Sequence, residues 1–449
     1  MFSLPRKNSL QFRLYGIIAL ISIIIPLYIG QNLSLLTLVL AYIYCLICLI
    51  NKKYYINLVI IAISACIPLG YGSGDIKIPI FENMQLWQAR FIQWILMFFG
   101  VYSLLTIKSI DINRKNMKIL LLCLILCTLV GFVNTNNKQE IYFSLGIIGV
   151  VVGMFFVSYR CNISFKNYFK VIDFIFYLIV CYAFFEFILR LCPYNQYYNL
   201  LIGTNAEFFG RAKGLLGHPL LLSGVVLLYQ AVLFVKTFYK LKINIVNQIL
   251  CIVCALITVS RTTLVVLSIE FILYLIFTQS YKSVKKFIIY LLCLIIILFG
   301  VIEFGEQYLT DLFIRIEEGN IDHRLAGWKT TYNLLSENYF GVGHTDIMDA
   351  IRKGGYATYG FATGFTTIDN VFLGELCSYG ILGILTILFY YQYLIFAFKK
   401  RKTTPVKYKS ILFLYIVMTL LGLSYNWNGI GVVSLMFYSI VGYLMRTSE

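Results

Sequence analysis

"IVNQILCIVCALITVSRTTLVVLSIEFILYLIFT", residues 245–278, is an almost unbroken apolar run. As a single helix it would be about 51 Å long at 1.5 Å per residue. A bilayer hydrocarbon core is only about 30 Å thick. The run therefore divides, and the place is Ser260-Arg261, where the apolar character lapses. Two short helices result, 245–260 and 262–278, with an arginine at the turn between them.

The same kind of run recurs along the chain. Of 449 residues, 60% are hydrophobic and 13% charged, against about 25% charged in soluble domains. Candidate spans fall at 12–29, 33–50, 54–70, 87–107, 117–133, 141–158, 168–191, 215–238, 245–260, 262–278, 286–304, 370–398, 409–425 and 427–446. The expected fold is an all-α polytopic membrane protein with about 14 transmembrane helices. Arg6, Lys7 and Arg13 precede the first apolar run, as in a signal peptide. No small-residue cleavage site follows, so that run reads as a retained membrane helix.

The net charge of +17 reads as topology and not as nucleic-acid binding. With the N-terminus in the cytoplasm, most of the 37 basic residues fall on inward loops, in clusters at 52–53, 108–118, 160–170, 236–242, 282–286 and 399–409. An even number of spans follows, with both termini cytoplasmic. The outward side then carries one large extracytoplasmic loop, 305–367, and a smaller one, 191–214. No internal repeat is visible. The expectation is one membrane domain, 1–449, with 305–367 as a cap containing short helices. Nearly all of the twelve cysteines fall inside apolar runs, Cys251 and Cys254 among them, and read as small apolar filler.

Within the cap, "DHRLAGWKTTYNLLSENYF" (322–340) has helical spacing. Leu325, Trp328, Tyr332 and Leu335 share a face, and Asp322 is placed to N-cap the helix. Such a helix would lie on the bilayer with that face down. The glycines of "GVG" (341–343) end it.

The polar residues that carry chemistry lie on the outward side. Arg261 cannot shed its charge, so it pairs with Glu270, snorkels to the interface, or binds an anion at the turn. Arg211 and Lys213 stand in "GRAKGLLGHP" (210–219), whose glycines let backbone approach a ligand closely. Arg324 lies one helical turn from Trp328. The three arginines could converge on one pyrophosphate. Asp369, in "TTIDNVFLGEL" (366–376), either complements a helix dipole or serves as a general base. All three histidines, His218, His323 and His344, are outward, and His323 and His344 are alternative bases. His218, Trp328 and Asn370 flank these groups as candidate substrate contacts. "HTDIMD" (344–349) is a weak metal pattern, and the outward DxD pair of metal-dependent sugar-nucleotide enzymes is absent; no metal or cofactor is called for. Glu186 and Arg190 are spaced as an i, i+4 ion pair. Glu270 and Glu375 fall within spans and require partners.

Four stretches together, "RAKGLLGHP", "TVSRTT", "HRLAGW" followed by "GVG", and "DNVFLGELCSYGILG", resemble the O-antigen ligase/polymerase superfamily of bacterial membrane glycosyltransferases. The likeness covers about 207–383. It implies an undecaprenyl-diphosphate-linked oligosaccharide as substrate, held at the outer face of the plasma membrane by Arg211, Arg261 and Arg324. It also implies metal-independent transfer with inversion, and a flippase and a chain-length regulator as protein partners. Ligases usually have a histidine before Asn370, where this chain has Asp369; that departure suits the polymerase branch. Three functions remain in view: a polymerase for capsule, exopolysaccharide or O-antigen; a ligase moving finished glycan to a surface acceptor; and a flippase or other transporter. Transporters tend to place charge at the midplane between repeated halves, and here charge gathers under the cap.

Overall fold

The computed structural model describes residues 43, 46–66, 87–106, 114–135, 139–191, 212, 214–216, 219–242, 244–258, 260–279, 320–344, 347–359, 368, 370–425 and 431–446. Among these there is no β-strand. The expected spans at 12–29 and 286–304, and most of 33–50, lie outside the described residues.

The bundle is built from α1 (Ile56–Cys66), α2 (Trp87–Thr106), α3 (Arg114–Thr135), α4 (Gln139–Ile148), α5 (Phe155–Tyr159) and α6 (Phe165–Leu191). It continues with α7 (Pro219–Phe238), α8 (Ile245–Ile257) and α9 (Arg261–Thr278). After the cap helices α10 (Asn320–Glu337) and α11 (Ile347–Lys353) come α12 (Val371–Tyr379), α13 (Gly383–Lys399), α14 (Pro405–Gly422) and α15 (Val432–Arg446). The cap helix starts at Asn320, so Asp322 lies inside it and does not cap it. Between α4 and α5 the helix widens into a π-turn at Gly149–Met154. There Gly153 meets Gly100 of α2 backbone to backbone; a Cβ on Gly100 would lie 2.7 Å from the Gly153 nitrogen.

The break expected at Ser260 is present. Ser260 has extended backbone, and its hydroxyl accepts the Thr263 N–H at 3.4 Å. Asn244 caps α8 in the same way, accepting the Val246 N–H at 3.1 Å. Arg261 is thus the first residue of α9.

Side-chain register fixes the helix directions. Phe234 meets Phe271, and Phe238 meets Phe277, so α7 and α9 run parallel. Phe413 sits against Phe277 and Lys409 bonds the Phe277 carbonyl, so α14 runs against them. Tyr391 bonds Thr419 while Phe398 meets Tyr408, which makes α13 antiparallel to α14. Asp173 of α6 takes hydrogen bonds from Tyr229, at 2.6 Å, and from Lys236 of α7. Asn247 donates to the Tyr229 hydroxyl at 2.7 Å and accepts from Tyr177 at 2.5 Å, completing a polar network at that level. From these registers, the ends of α6, α8 and α14 and the starts of α7, α9 and α13 lie at one end of the bundle.

One expected span is corrected. Residues 371–399 qualify by length and composition as a single 29-residue crossing, which would be about 44 Å long. They form a helical hairpin instead. Glu375 accepts from Thr386 at 2.6 Å and from Tyr390 at 2.8 Å, and the rings of Phe372 and Tyr391 are 6.5 Å apart. One straight helix would separate each of these pairs by well over 10 Å. The corner is Gly380, with φ +59, where a Cβ would overlap the Tyr339 carbonyl oxygen. The spanning part is α13, about 25 Å long, and α12 belongs with the cap.

The cap has its own small core. Leu334 of α10, Ile347, Met348 and Ile351 of α11, and Ile368, Leu373 and Cys377 around α12 pack together. The buried stripe of α10 carries Ala326, Thr330, Thr331 and Leu334. Its opposite face presents Leu325, Trp328 and Tyr332, all more than half exposed. Among the described residues, none covers these three side chains of the apolar face read from the sequence, while Leu335 is half-buried.

Candidate functional site

Two knots of backbone form at the same end of the bundle. The first joins α6, the turn before α7, and the α8–α9 break. Gly214 has φ +60, and its N–H donates to Glu186 Oε2 at 2.6 Å. Glu186 is fully buried. Its bond to Gly214 gives it a role that the i, i+4 pairing with Arg190 did not anticipate; the Arg190 side chain lies outside the described residues. Two residues earlier, the Ala212 N–H donates to the Ile257 carbonyl at 3.0 Å. Ile257 is the last residue of α8, one short turn before Arg261. Ala212 of "RAKGLLGHP" is thereby held at the end of α8, next to "TVSRTT".

Arg211, Lys213 and His218 lie outside the described residues, as does the side chain of Arg261. An arginine at the first position of α9 lies where the helix N-terminus favours negative charge. The alternative pairing of Arg261 with Glu270 does not fit. Glu270 is fully buried nine residues on, about 13 Å along the axis. Its two carboxylate oxygens have no hydrogen-bond partner among the described residues.

The second knot joins the cap to the hairpin corner. Val342 N–H donates to the Cys377 carbonyl at 3.0 Å, Gly343 N–H to Ser378 at 2.8 Å, and Ile381 N–H to Tyr339 at 3.2 Å. The "GVG" segment is thus laced to "CSYGILG". Gly341, φ +75, passes so close to Ser378 that no side chain fits. From below, Asn134 Nδ2 at the end of α3 donates to the Gly341 carbonyl at 2.9 Å. Glu140 of α4 is fully buried, and its Oε1 lies 3.0 Å from where a Gly343 Cβ would be. The Tyr379 hydroxyl reaches Ser144 at 3.4 Å.

His344 follows directly. It is half-buried, with Nδ1 3.2 Å from Ser378 Oγ. Of the proposed base residues it is the one whose side chain is described. Asp369 lies outside the described residues, and for His323 and Arg324 only the backbone, on α10, is described. Asn370 acts structurally: its Oδ1 caps α12 through Phe372 and Leu373, and its Nδ2 donates to the Leu423 carbonyl at 3.2 Å. That bond sets the foot of α12 on the end of α14, the helix that also packs on α7 and α9. Trp328 is on the uncovered face of α10, away from both knots' bonds.

Asn134, Glu140 and Ser378 were missed by sequence reading. Each is an ordinary polar residue near a helix end, and only the cap's return onto α3 and α4 gives them a place. The signal available was an acid, Glu140, in a short loop on the side of the membrane assigned to the cap.

These features define an all-α membrane protein whose polar segments meet at one end of its bundle beneath a cap. Residues 246–388 match the Wzy_C family model, described as O-antigen ligase. The matched segment runs from α8 through the cap and hairpin into α13, and it supports placement in the O-antigen ligase/polymerase superfamily of membrane glycosyltransferase-like enzymes. No curated protein matches the chain.

Proposed function

We propose that this protein is a polysaccharide polymerase. It transfers glycan from an undecaprenyl-diphosphate carrier onto another lipid-linked repeat unit at the outer face of the plasma membrane. The observation that supports this reading is the Ala212–Ile257 bond, which holds Ala212 at the end of α8, just before α9 begins. Arg211, Lys213 and Arg261 then surround a leaving diphosphate, with Arg324 approaching from the cap. The acceptor hydroxyl attacks the sugar's anomeric carbon from the face opposite the diphosphate, inverting that centre without a metal. Fixed cations there stabilise the charge that grows on the leaving group, commonly the largest catalytic term. The proton passes to a base among Asp369, His323 and His344.

A ligase is the second reading, favoured by the description of the matched family. It uses the same donor site and differs in the acceptor. A glycan ladder gel from the native strain carrying Arg261→Ala, with protein level checked, separates the readings. Surface glycan of one repeat unit without longer bands supports a polymerase. Long chains retained on the lipid carrier support a ligase. Lipid-linked units trapped in the inner leaflet overturn both and point to a flippase.

A further inference from the structure

Two fully buried polar side chains, Glu270 of α9 and Gln230 of α7, take no part in the transfer chemistry. Neither carboxylate oxygen of Glu270 and neither amide atom of Gln230 has a hydrogen-bond partner among the described residues. The register of the two helices sets them at one level. Phe234 stacks on Tyr274 with ring centroids 4.3 Å apart. Gln230 lies one turn before Phe234 on α7, and Glu270 one turn before Tyr274 on α9. The helices run parallel, so the two residues occupy the same depth on facing sides. That depth is about 13 Å from Arg261 and about 16 Å from Pro219 along the axes, near the middle of a core about 30 Å thick. Thr263, two turns before Glu270 on the same face, adds a buried hydroxyl oxygen, also without a partner among the described residues, toward the start of α9.

A carboxylate in so apolar a surrounding requires positive charge beside it. The described basic side chains of the helices packed on α9 are committed elsewhere. Lys236, near the end of α7, pairs with Asp173. Lys407 and Lys409, at the start of α14, bond the Met445 and Phe277 carbonyls. The other ionisable groups nearby bring no cation. Tyr274 is one turn on along α9, Tyr229 of α7 donates to Asp173, and Tyr415 of α14 donates to the Tyr390 carbonyl. Cys251 and Cys254 of α8 are both buried, and Cys251 stands within electrostatic reach of Glu270.

We infer that Glu270 and Gln230 form a buried site for one monovalent cation. The carboxylate supplies the charge, and the Gln230 amide oxygen supplies a second acceptor. The cation is a proton, carried on the carboxyl and shared with the amide oxygen, or an alkali ion held between the same oxygens. Thr263 marks the side from which it arrives, the capped end where α9 begins. The site lies apart from the diphosphate arginines and stands whether or not the protein transfers glycan.

The test is infrared difference spectroscopy on the full-length protein in phospholipid vesicles, wild type minus Glu270→Gln, in choline, sodium and potassium chloride. Loss of a protonated-carboxyl C=O band in the variant, with no response to the salt, supports the proton as occupant. Loss of carboxylate bands that shift when sodium or potassium replaces choline supports an alkali ion. Carboxylate bands that ignore the salt mean that a protein cation compensates Glu270, and they overturn the site. Gln230→Leu should shift whichever band belongs to Glu270; an unmoved band removes Gln230 from the site. Should Glu270→Gln fail to fold, the wild type carries the test alone. It is treated with a lipid-soluble carbodiimide, which attacks protonated carboxyls, and the label is mapped by mass spectrometry. Label at Glu270 that neither salt changes supports the proton, label suppressed by sodium or potassium supports the alkali ion, and no label there in any of the three salts overturns the proposal.

Discussion

The Ala212 amide donates to the Ile257 carbonyl at 3.0 Å, and so two segments distant in sequence share one turn at the capped end of the bundle. Under the proposed function, Arg211 and Arg261 act on one ligand. Arg261→Ala should reduce transfer by about 10²- to 10³-fold, the range for removing one preorganised charge-stabilising donor. Arg261→Lys should recover only a fraction, since a point charge does not replace the guanidinium fork. Turnover of lipid-linked donor in vesicles measures both.

Glu186 is expected to matter through Gly214. Glu186→Ala leaves a buried N–H without its acceptor, at a cost of about 1–3 kcal/mol, and loosens the turn at Gly214. Glu186→Gln keeps an acceptor oxygen and should retain most activity. Thermal unfolding in detergent, read beside donor turnover, compares the two variants.

The hairpin corner predicts a contrast between two glycines of positive φ. Gly380→Ala must displace the Tyr339 carbonyl, so it should destabilise the protein by well over 2 kcal/mol and lower its expression. Gly355, φ +67, has nothing within 4 Å of its Cβ position. Gly355→Ala should cost only the left-handed strain of about 1–2 kcal/mol. Equal unfolding temperatures for the two variants would contradict the corner described above.

Asp173 and Lys236 form an ion pair among helices, with side chains 22% and 8% exposed. Asp173→Ala leaves the lysine charge buried and should destabilise by about 3–5 kcal/mol. The double variant Asp173→Leu, Lys236→Met should recover much of that loss. Unfolding midpoints of the single and double variants decide it.

The uncovered face of α10 should meet lipid. In a variant retaining Trp328 alone of the 4 tryptophans, brominated phospholipids should quench its fluorescence. Serine at Leu325 and Tyr332 should weaken that quenching while leaving the buried Leu334 face intact.

The helices were largely legible because apolar runs separated by charged loops admit few other arrangements. The break at Ser260 was readable from length alone, since one helix over 245–278 is too long for a bilayer. The division at Gly380 was not. Residues 371–399 look continuous, and what folds them back is the close approach of Tyr339, invisible in composition. In the candidate site, Arg261 could be placed at a helix start because a cap and a charge coincide there. Glu140 and Ser378 could not be placed, because their importance comes from a cap segment far from them in sequence.

The second knot also sets a timetable. Its bonds join Gly341 to Asn134, 207 residues earlier, and to the Ser378–Gly380 corner still to come. No early portion of the chain contains the whole arrangement. During synthesis, α3 and α4 must wait until the cap and α13 have been made. Long-range closures of this kind form slowly, so a chain stalled or cut before α13 carries the first knot without the second. Such fragments would hold one half of the capped end without the other, so that end is completed only near the close of the chain's own synthesis.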